Sequence, residues 1–170
     1  MSVKPTPLCR PPVSVLIAAR DERIRTGLWS LLESEPDVEP IGATADLADL
    51  IRLVGRVAPD AIVFHESVFG AVGLGWLPLV ARAAPRAAFV VVGMHDHPAF
   101  TVRAREAGAA DYVLLDDAER LGRAVVEASE RSAPLSAGRR RTGRRAMTVV
   151  PAPGAASITR LPPRSSTRSR

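Results

Sequence analysis

The apolar run at residues 61–64 (AIVF) constrains the fold of this chain more than any other stretch. Consecutive apolar residues that include β-branched side chains are typical of a strand buried on both faces, as in the middle of a parallel sheet. The run leads directly into His65, Glu66 and Ser67. Open α/β sheets bind ligands at the carboxyl ends of their strands, so His65 is the first candidate for a functional residue.

Four further apolar runs alternate with amphipathic segments along residues 13–131. They predict strands at 13–19, 38–43, 87–93 and 111–115, in addition to the strand that ends near His65. Helices are predicted at 22–35, 46–57, 76–83, 98–107 and 116–131; the second of these has apolar residues at helical spacing, namely Leu47, Leu50, Ile51 and Val54. Such alternation predicts βαβ crossovers and a parallel sheet covered by helices on both faces.

Individual residues sharpen this prediction. Pro40 lies inside the second strand and lacks an N–H for the ladder, which favours an edge position. Asp21 is placed to cap the first helix, and Gly108 to end the fourth. Residues 69–75 are rich in glycine and are predicted to form a loop. The buried face of the first helix is predicted to consist of Ile24, Leu28, Leu31 and Leu32.

Charge is distributed unevenly along the chain. Residues 131–170 contain ten arginines and no acidic residue, although the net charge of the whole chain is only +5. The chain therefore divides into a leader (1–12), an acidic globular domain (13–131) and a basic tail (132–170) whose Arg, Pro and Ser content predicts disorder. The tail fits either an evolved extension or a truncated or frameshifted end. Its basic cluster is a candidate for nucleic-acid contact through Arg139, Arg140, Arg141, Arg144 and Arg145.

The sequence also bears on location. No apolar stretch reaches the about 18 residues that a membrane span requires, and no signal peptide is evident. The single cysteine, Cys9, has no partner for an internal disulfide and is interpreted as an incidental exposed thiol. These features favour a cytoplasmic protein.

Several segments in a fixed order resemble the receiver domain of bacterial response regulators, especially the subclass with helix-turn-helix output domains. The segments are VLIAARDERIRTGLWSLLESEPDVEPIGATAD, APDAIVFHE, APRAAFVVVGMHDHPAF and AREAGAADYVLLDD, within residues 13–131. The resemblance implies a flavodoxin-like fold with strand order 2-1-3-4-5. It also implies that a face made of residues 98–107, 111–114 and 121–126 forms dimers or binds protein partners.

The same resemblance implies a phosphorylation pocket that this chain has lost. Receivers hold a divalent metal with two acids after the first strand, and phosphorylate an aspartate that ends the third. A hydroxyl residue ends the fourth strand and a lysine ends the fifth. Here the acid pair aligns with Ala19 and Arg20, the phosphoacceptor with His65, the hydroxyl with Gly93 and the lysine with Leu115. Asp21, an acid close to the end of the first strand, matches the position that follows the pair.

These departures predict a pseudo-receiver that is not an enzyme, needs no cofactor and signals by binding proteins. His65 is then a polar residue hydrogen-bonded to Arg20, Glu66 or a backbone group, rather than a phosphorylated one. Two alternatives stay open: a transcriptional regulator that contacts DNA through its tail or a paired family member, and a module that binds a metal or small ligand. Zinc would use His65, His95 and His97, whereas a small anion would use Arg20.

Overall fold

The structure, a computed structural model, describes residues 10–132, with the side chains of residues 69–72 and 118 excepted. Five strands alternate with five α-helices. The strands are β1 (Val13–Ala18), β2 (Val38–Thr44), β3 (Ala61–His65), β4 (Ala88–Gly93) and β5 (Asp111–Leu114). The helices are α1 (Glu22–Glu33), α2 (Leu47–Val57), α3 (Leu77–Ala83), α4 (Pro98–Glu106) and α5 (Ala118–Ser132). Most of the predicted leader and all but the first residue of the predicted tail lie outside the described residues.

All strand pairs are parallel, and their order is β2-β1-β3-β4-β5. This confirms the predicted flavodoxin-like topology. The prediction from Pro40 is also confirmed, because β2 is an edge strand. The register between β1 and β2 shifts after Val15, which pairs with Pro40, so that Leu16 pairs with Gly42. All carboxyl ends of the strands consequently meet at one edge of the sheet.

Each face of the sheet is covered by its own apolar core. On one face, Leu28 and Leu32 of α1 and Leu121 and Val125 of α5 pack on alternate strand residues. On the other face, helices α2, α3 and α4 cover Phe64 and its neighbours in the strands. Phe64 is fully buried, and burial of such a side chain stabilises the fold by about 1.5–3 kcal/mol. The strands are apolar on both faces because both faces are covered.

The stretch after β3 differs from the prediction. Residues predicted as a glycine-rich loop belong to a 3-10 helical segment, Glu66–Trp76, which runs directly into α3. His65 explains where this segment begins, because its Nδ1 accepts a hydrogen bond from the backbone N–H of Ser67 (3.2 Å). A histidine that caps a helical turn in this way satisfies a donor that would otherwise lack a partner.

The helix ends predicted from sequence are confirmed at two places. The carboxylate of Asp21 accepts from the N–H groups of Arg23 (2.8 Å) and Ile24 (3.2 Å) at the start of α1. Gly108 follows α4 with a φ of 101°, a conformation that favours glycine. None of the helices within residues 10–132 combines the length and the apolar character needed to cross a bilayer.

Candidate functional site

His65 is the last residue of β3 and lies at the carboxyl edge of the sheet with only 2% of its surface exposed. Its Nδ1 lies 2.8 Å from the hydroxyl oxygen of Ser67 and accepts from the Ser67 N–H. The ring therefore carries its hydrogen on Nε2, and this buried nitrogen has no hydrogen-bond partner among the described residues. Of the expected partners, a backbone group is found, whereas Arg20 and Glu66 make no hydrogen bond to the ring.

Burial controls the protonation of His65. It lowers the pKa of the imidazole below its ordinary value of 6.5, and the negative charges of Glu66 and Asp21 offset this decrease only in part. The ring is consequently neutral near pH 7. Because its Nδ1 lone pair accepts a hydrogen bond and its Nε2 carries the hydrogen, this buried ring has no free lone pair with which to act as a nucleophile.

A second polar group, which we call the Glu66 cluster, combines the start of the 3-10 segment (Glu66), the end of β4 and the loop after it (Gly93 and His95), and Tyr112 of β5. The Tyr112 hydroxyl donates to the carbonyl oxygen of His95 (3.3 Å). The Glu66 carboxylate accepts from the Met94 N–H (3.4 Å) and lies 3.2 Å from His95 Nδ1. The cluster ties the start of the 3-10 segment to the loop after β4.

Gly93 makes this arrangement sterically feasible. A Cβ at this position would overlap the Tyr112 hydroxyl and lie 2.8 Å from Glu66 Oε2. Burial raises the pKa of the Tyr112 phenol, and the negative charge of the Glu66 carboxylate adds to the increase. The phenol therefore stays protonated and donates. The space beside the end of β4 is filled by a tyrosine and a glutamate.

The loop after β1 contains the next three candidates. Ala19 is buried, whereas Arg20 and Asp21 are exposed. Within residues 10–132 the Arg20 guanidinium has no hydrogen-bond or ion-pair partner. The buried cation here is Arg25, which sequence reasoning missed. It donates to the carbonyl oxygens of Ala19 (2.9 Å) and Arg20 (3.3 Å) and so fixes the loop.

Leu115 follows β5 and borders a cavity that sequence reasoning did not foresee. We call this cavity of about 380 Å³ the α1–α5 groove. Its floor is buried, and its walls are half-buried aliphatic side chains of α1 and of the end of β5. Arg23 is its single charged lining residue. The lining residues are Arg23, Ile24, Gly27, Leu28, Leu31, Val92, Val113, Leu114, Leu115 and Leu121.

The structure does not bring the three histidines together as a metal site. Within the part of the chain that the structure describes, no three His, Cys, Asp or Glu residues lie close enough to hold a metal ion. His97 instead caps α4, because its Nδ1 accepts from the Ala99 N–H (3.1 Å). His95 stacks on Phe100 with ring centroids 4.7 Å apart. The described residues thus give no support to the predicted zinc site at His65, His95 and His97; the five tail arginines lie outside the described residues.

One part of the predicted partner face, residues 121–126, is largely buried and must be corrected. The apolar residues of 121–126 face the core, where Leu121, Ala124 and Val125 are buried. They are not available to a partner. The residues that this face exposes come largely from α4, where Val102 is 53% exposed.

Charged residues join the three elements of this face. The Asp111 carboxylate accepts from Arg120 of α5 (2.8 Å) and lies 3.6 Å from a nitrogen of Arg105 of α4. Because Asp111 is largely buried, its charge is satisfied within the domain. The arrangement links α4 and α5 to β5.

No family model matches the chain. Among curated proteins it is similar to the transcriptional regulatory protein LiaR of Bacillus subtilis, with 30% identity over 104 residues, which cover 60% of this chain and 48% of LiaR. It is equally similar to a protein-glutamate methylesterase/protein-glutamine glutaminase of Myxococcus xanthus, with 30% identity over 101 residues, 59% of this chain and 29% of that protein. The chain thus spans about half or less of these relatives.

Solved structures agree with the topology. The signal receiver domain of the putative response regulator NarL from Mycobacterium tuberculosis superposes with a TM-score of 0.62 at 21% identity. The match covers 71% of this chain and 98% of that domain. A LuxR-family two-component response regulator from Aurantimonas gives a TM-score of 0.64 at 24% identity, over 70% of this chain and 86% of that one. At such identities the agreement concerns the fold.

Proposed function

We propose that this chain is a non-enzymatic signalling module that acts by binding a protein partner. The premise is that residues 10–132 have the fold of a response regulator receiver and are similar to such receivers in sequence. The observation that carries the proposal is His65, a neutral and enclosed imidazole where receivers have a phosphorylated aspartate. Aspartyl phosphorylation is lost, and the state of the module is set by its partner.

The other positions of the pocket support the loss. Phosphoryl transfer needs a metal ion and a cation to neutralise the charge that develops on the transferring group. Ala19 offers no ligand and Arg20 would repel a metal ion, while Leu115 supplies no charge at the end of β5. Gly93 has no hydroxyl, and its space is filled by Tyr112 and Glu66.

A phosphorylation assay tests this half of the proposal. We expect the full chain, incubated with acetyl phosphate and Mg²⁺, to show no gain of a phosphoryl group by intact-mass spectrometry. The triple variant Arg20→Asp, His65→Asp, Leu115→Lys should regain acceptance if these positions form the pocket. Phosphorylation of the unaltered chain would contradict the proposal, and a folded but inert triple variant would contradict the assignment of the positions.

The partner surface is proposed to lie on α4, β5 and α5. Val102 is an exposed apolar residue in the middle of α4, and the ion pairs of Asp111 with Arg105 and Arg120 link α4, β5 and α5. A second copy of the chain or another signalling protein would bury Val102 here.

A pair of matched variants tests the surface. Val102→Glu should abolish self-association measured by light scattering, or binding to a partner identified by crosslinking in cells of the source. The control is Leu79→Glu on α3, because Leu79 is also exposed, at 43%, but lies on a different helix. Equal loss of association in both variants, or loss in neither, would contradict the surface.

The second candidate is a regulator that contacts DNA through the basic tail. The ten arginines of residues 131–170 support it, since such a segment binds phosphates in a salt-dependent way without reading sequence; the similar protein LiaR is a transcriptional regulatory protein. Titration of DNA at several salt concentrations should give weaker binding and a smaller salt slope for residues 1–132 than for the full chain. Equal slopes would exclude the tail.

A further inference from the structure

The α1–α5 groove is an apolar space at the carboxyl edge of the sheet that the domain leaves unfilled. Its floor consists of buried core residues, among them Leu28 and Val113, and its mouth lies beside Gly27. A Cβ added at Gly27 would meet no heavy atom within 4 Å. Filling the groove would remove its half-buried aliphatic walls from water, which is favourable in proportion to the apolar area covered.

The charge at the mouth selects the ligand. Arg23 is the one charged residue of the lining. Within the described part of the chain its guanidinium makes no ion pair and no side-chain hydrogen bond. No acidic side chain lines the groove. A ligand whose hydrocarbon part occupies the groove would therefore bind best if it also carries an anionic group that pairs with Arg23. A cationic group at the same place would be repelled.

The size of the groove favours a small molecule over a protein. A cavity of about 380 Å³ lies in the range of about 300–1,000 Å³ that is typical of small-ligand sites. A stable protein interface, in contrast, needs roughly 20–30 residues on each side. The lining of the groove is much smaller than that, and its apolar part is concave.

We propose that the α1–α5 groove binds an amphipathic carboxylate of the fatty-acid class, with the hydrocarbon chain on Leu28, Val113 and Leu115 and the carboxylate at Arg23. The site is distinct from the protein-binding surface centred on Val102. Its occupancy would report on the availability of medium-chain acids without any transfer of a phosphoryl group.

Decanoate is the probe that tests this proposal, used below its micelle concentration on the full chain labelled with ¹⁵N. We expect saturable, one-site shifts of the amide signals of Gly27 and Leu115. Decyltrimethylammonium, which has the same chain length and a positive head, should bind more weakly. Raised salt should weaken the binding of decanoate but not that of decyltrimethylammonium.

Two variants locate the site. Gly27→Leu places a side chain in the groove and should lower the affinity for decanoate about tenfold or more, because the ligand loses room for two or more methylenes. Its matched control is Gly55→Leu on α2, where a Cβ also meets nothing within 4 Å. Arg23→Gln should lower the affinity about two- to fivefold, the effect of an exposed charge pair, whereas Arg82→Gln on α3 should not.

Each other outcome would overturn the proposal. Absence of saturable binding would do so, as would equal binding of the two head groups. Equal losses in Gly27→Leu and Gly55→Leu would mean surfactant adsorption rather than a site. Thermal unfolding of every variant confirms that it is folded, so that a loss of binding is read only from folded protein.

Discussion

The carboxyl edge of the sheet has two halves that differ in how their space is used. Beside β3 and β4, His65 and the Glu66 cluster fill the available volume with hydrogen-bonded polar groups. Beside α1 and β5, the α1–α5 groove is apolar and open. One edge of a sheet can thus carry two regions of different chemistry, one closed by packed polar side chains and the other open and apolar.

The largest expected effect comes from adding one methyl group to the filled half. Gly93→Ala should lower the free energy of unfolding by about 1–3 kcal/mol, because the new Cβ overlaps the Tyr112 hydroxyl and overpacks the cluster. Urea titration measures the change. Gly55→Ala is the control, since its Cβ enters open space. If Gly93→Ala left the stability unchanged, Tyr112 would not be fixed in this position.

A pH titration tests the same half through His65. The pKa of buried His65 is lowered from 6.5, so the unfolded chain binds a proton that the folded chain excludes. The contribution of His65 to the free energy of unfolding is complete above pH 6.5. It decreases as the pH falls below 6.5, until the pH has fallen past the lowered pKa of the folded state. We expect the unfolding free energy of the unaltered chain to show this decrease.

His65→Asn should remove the decrease, because an amide oxygen can still accept from the Ser67 N–H but does not titrate. His97→Asn is the matched control: His97 accepts a backbone N–H two residues ahead in the same way, but it is exposed. Its variant should keep the pH dependence. A decrease of equal size in His65→Asn would exclude His65 as its source.

Removal of the Tyr112 hydroxyl should lower the free energy of unfolding by a smaller amount. Tyr112→Phe deletes the hydrogen bond to the His95 carbonyl and should cost about 0.5–1.5 kcal/mol of stability. Combined with Gly93→Ala it should cost less than the sum of the two single changes, because the overlapping oxygen is gone. A double-mutant cycle by urea unfolding measures this coupling, and additive costs would contradict a direct contact.

The smallest expected effect has the opposite sign and belongs to the open half. Gly27→Ala should raise the unfolding free energy by about 0.5–1 kcal/mol, because alanine favours a helix interior and its Cβ meets nothing. The same substitution thus destabilises at Gly93 and stabilises at Gly27. Loss of stability in Gly27→Ala would mean that the groove is closed.

Much of the fold could be predicted from the sequence, because local patterns determine it. Apolar runs predicted the five strands, Pro40 predicted the edge strand, and Asp21 and Gly108 predicted helix ends. The site was predicted only as a set of positions. The contact of Tyr112 with Gly93 and Glu66 depends on how β3, β4 and β5 are placed relative to one another. The α1–α5 groove is a space that side chains leave empty, and no local sequence pattern predicts such a space.

Two parts of the chain show where local reasoning falls short. Arg25 was not recognised as a functional residue, yet it is buried against the loop after β1, where it donates to the carbonyl oxygens of Ala19 and Arg20. Residues 121–126 of α5 were predicted to contribute to a partner face, but Leu121 and Val125 within this range face the sheet and are buried. In both cases the direction of a side chain, rather than its type, decided the outcome.

The irregular outer strand β2 has a consequence for how copies of this chain can associate. A long, regular outer strand offers a row of unpaired N–H and C=O groups onto which a further strand can add, which leads to aggregation. In β2, Pro40 lacks an N–H and the register shift at Val15 interrupts the regular spacing. The opposite outer strand, β5, has only four residues. Addition of strands from other copies is thus discouraged at both ends of the sheet, and reversible association is left to the helices.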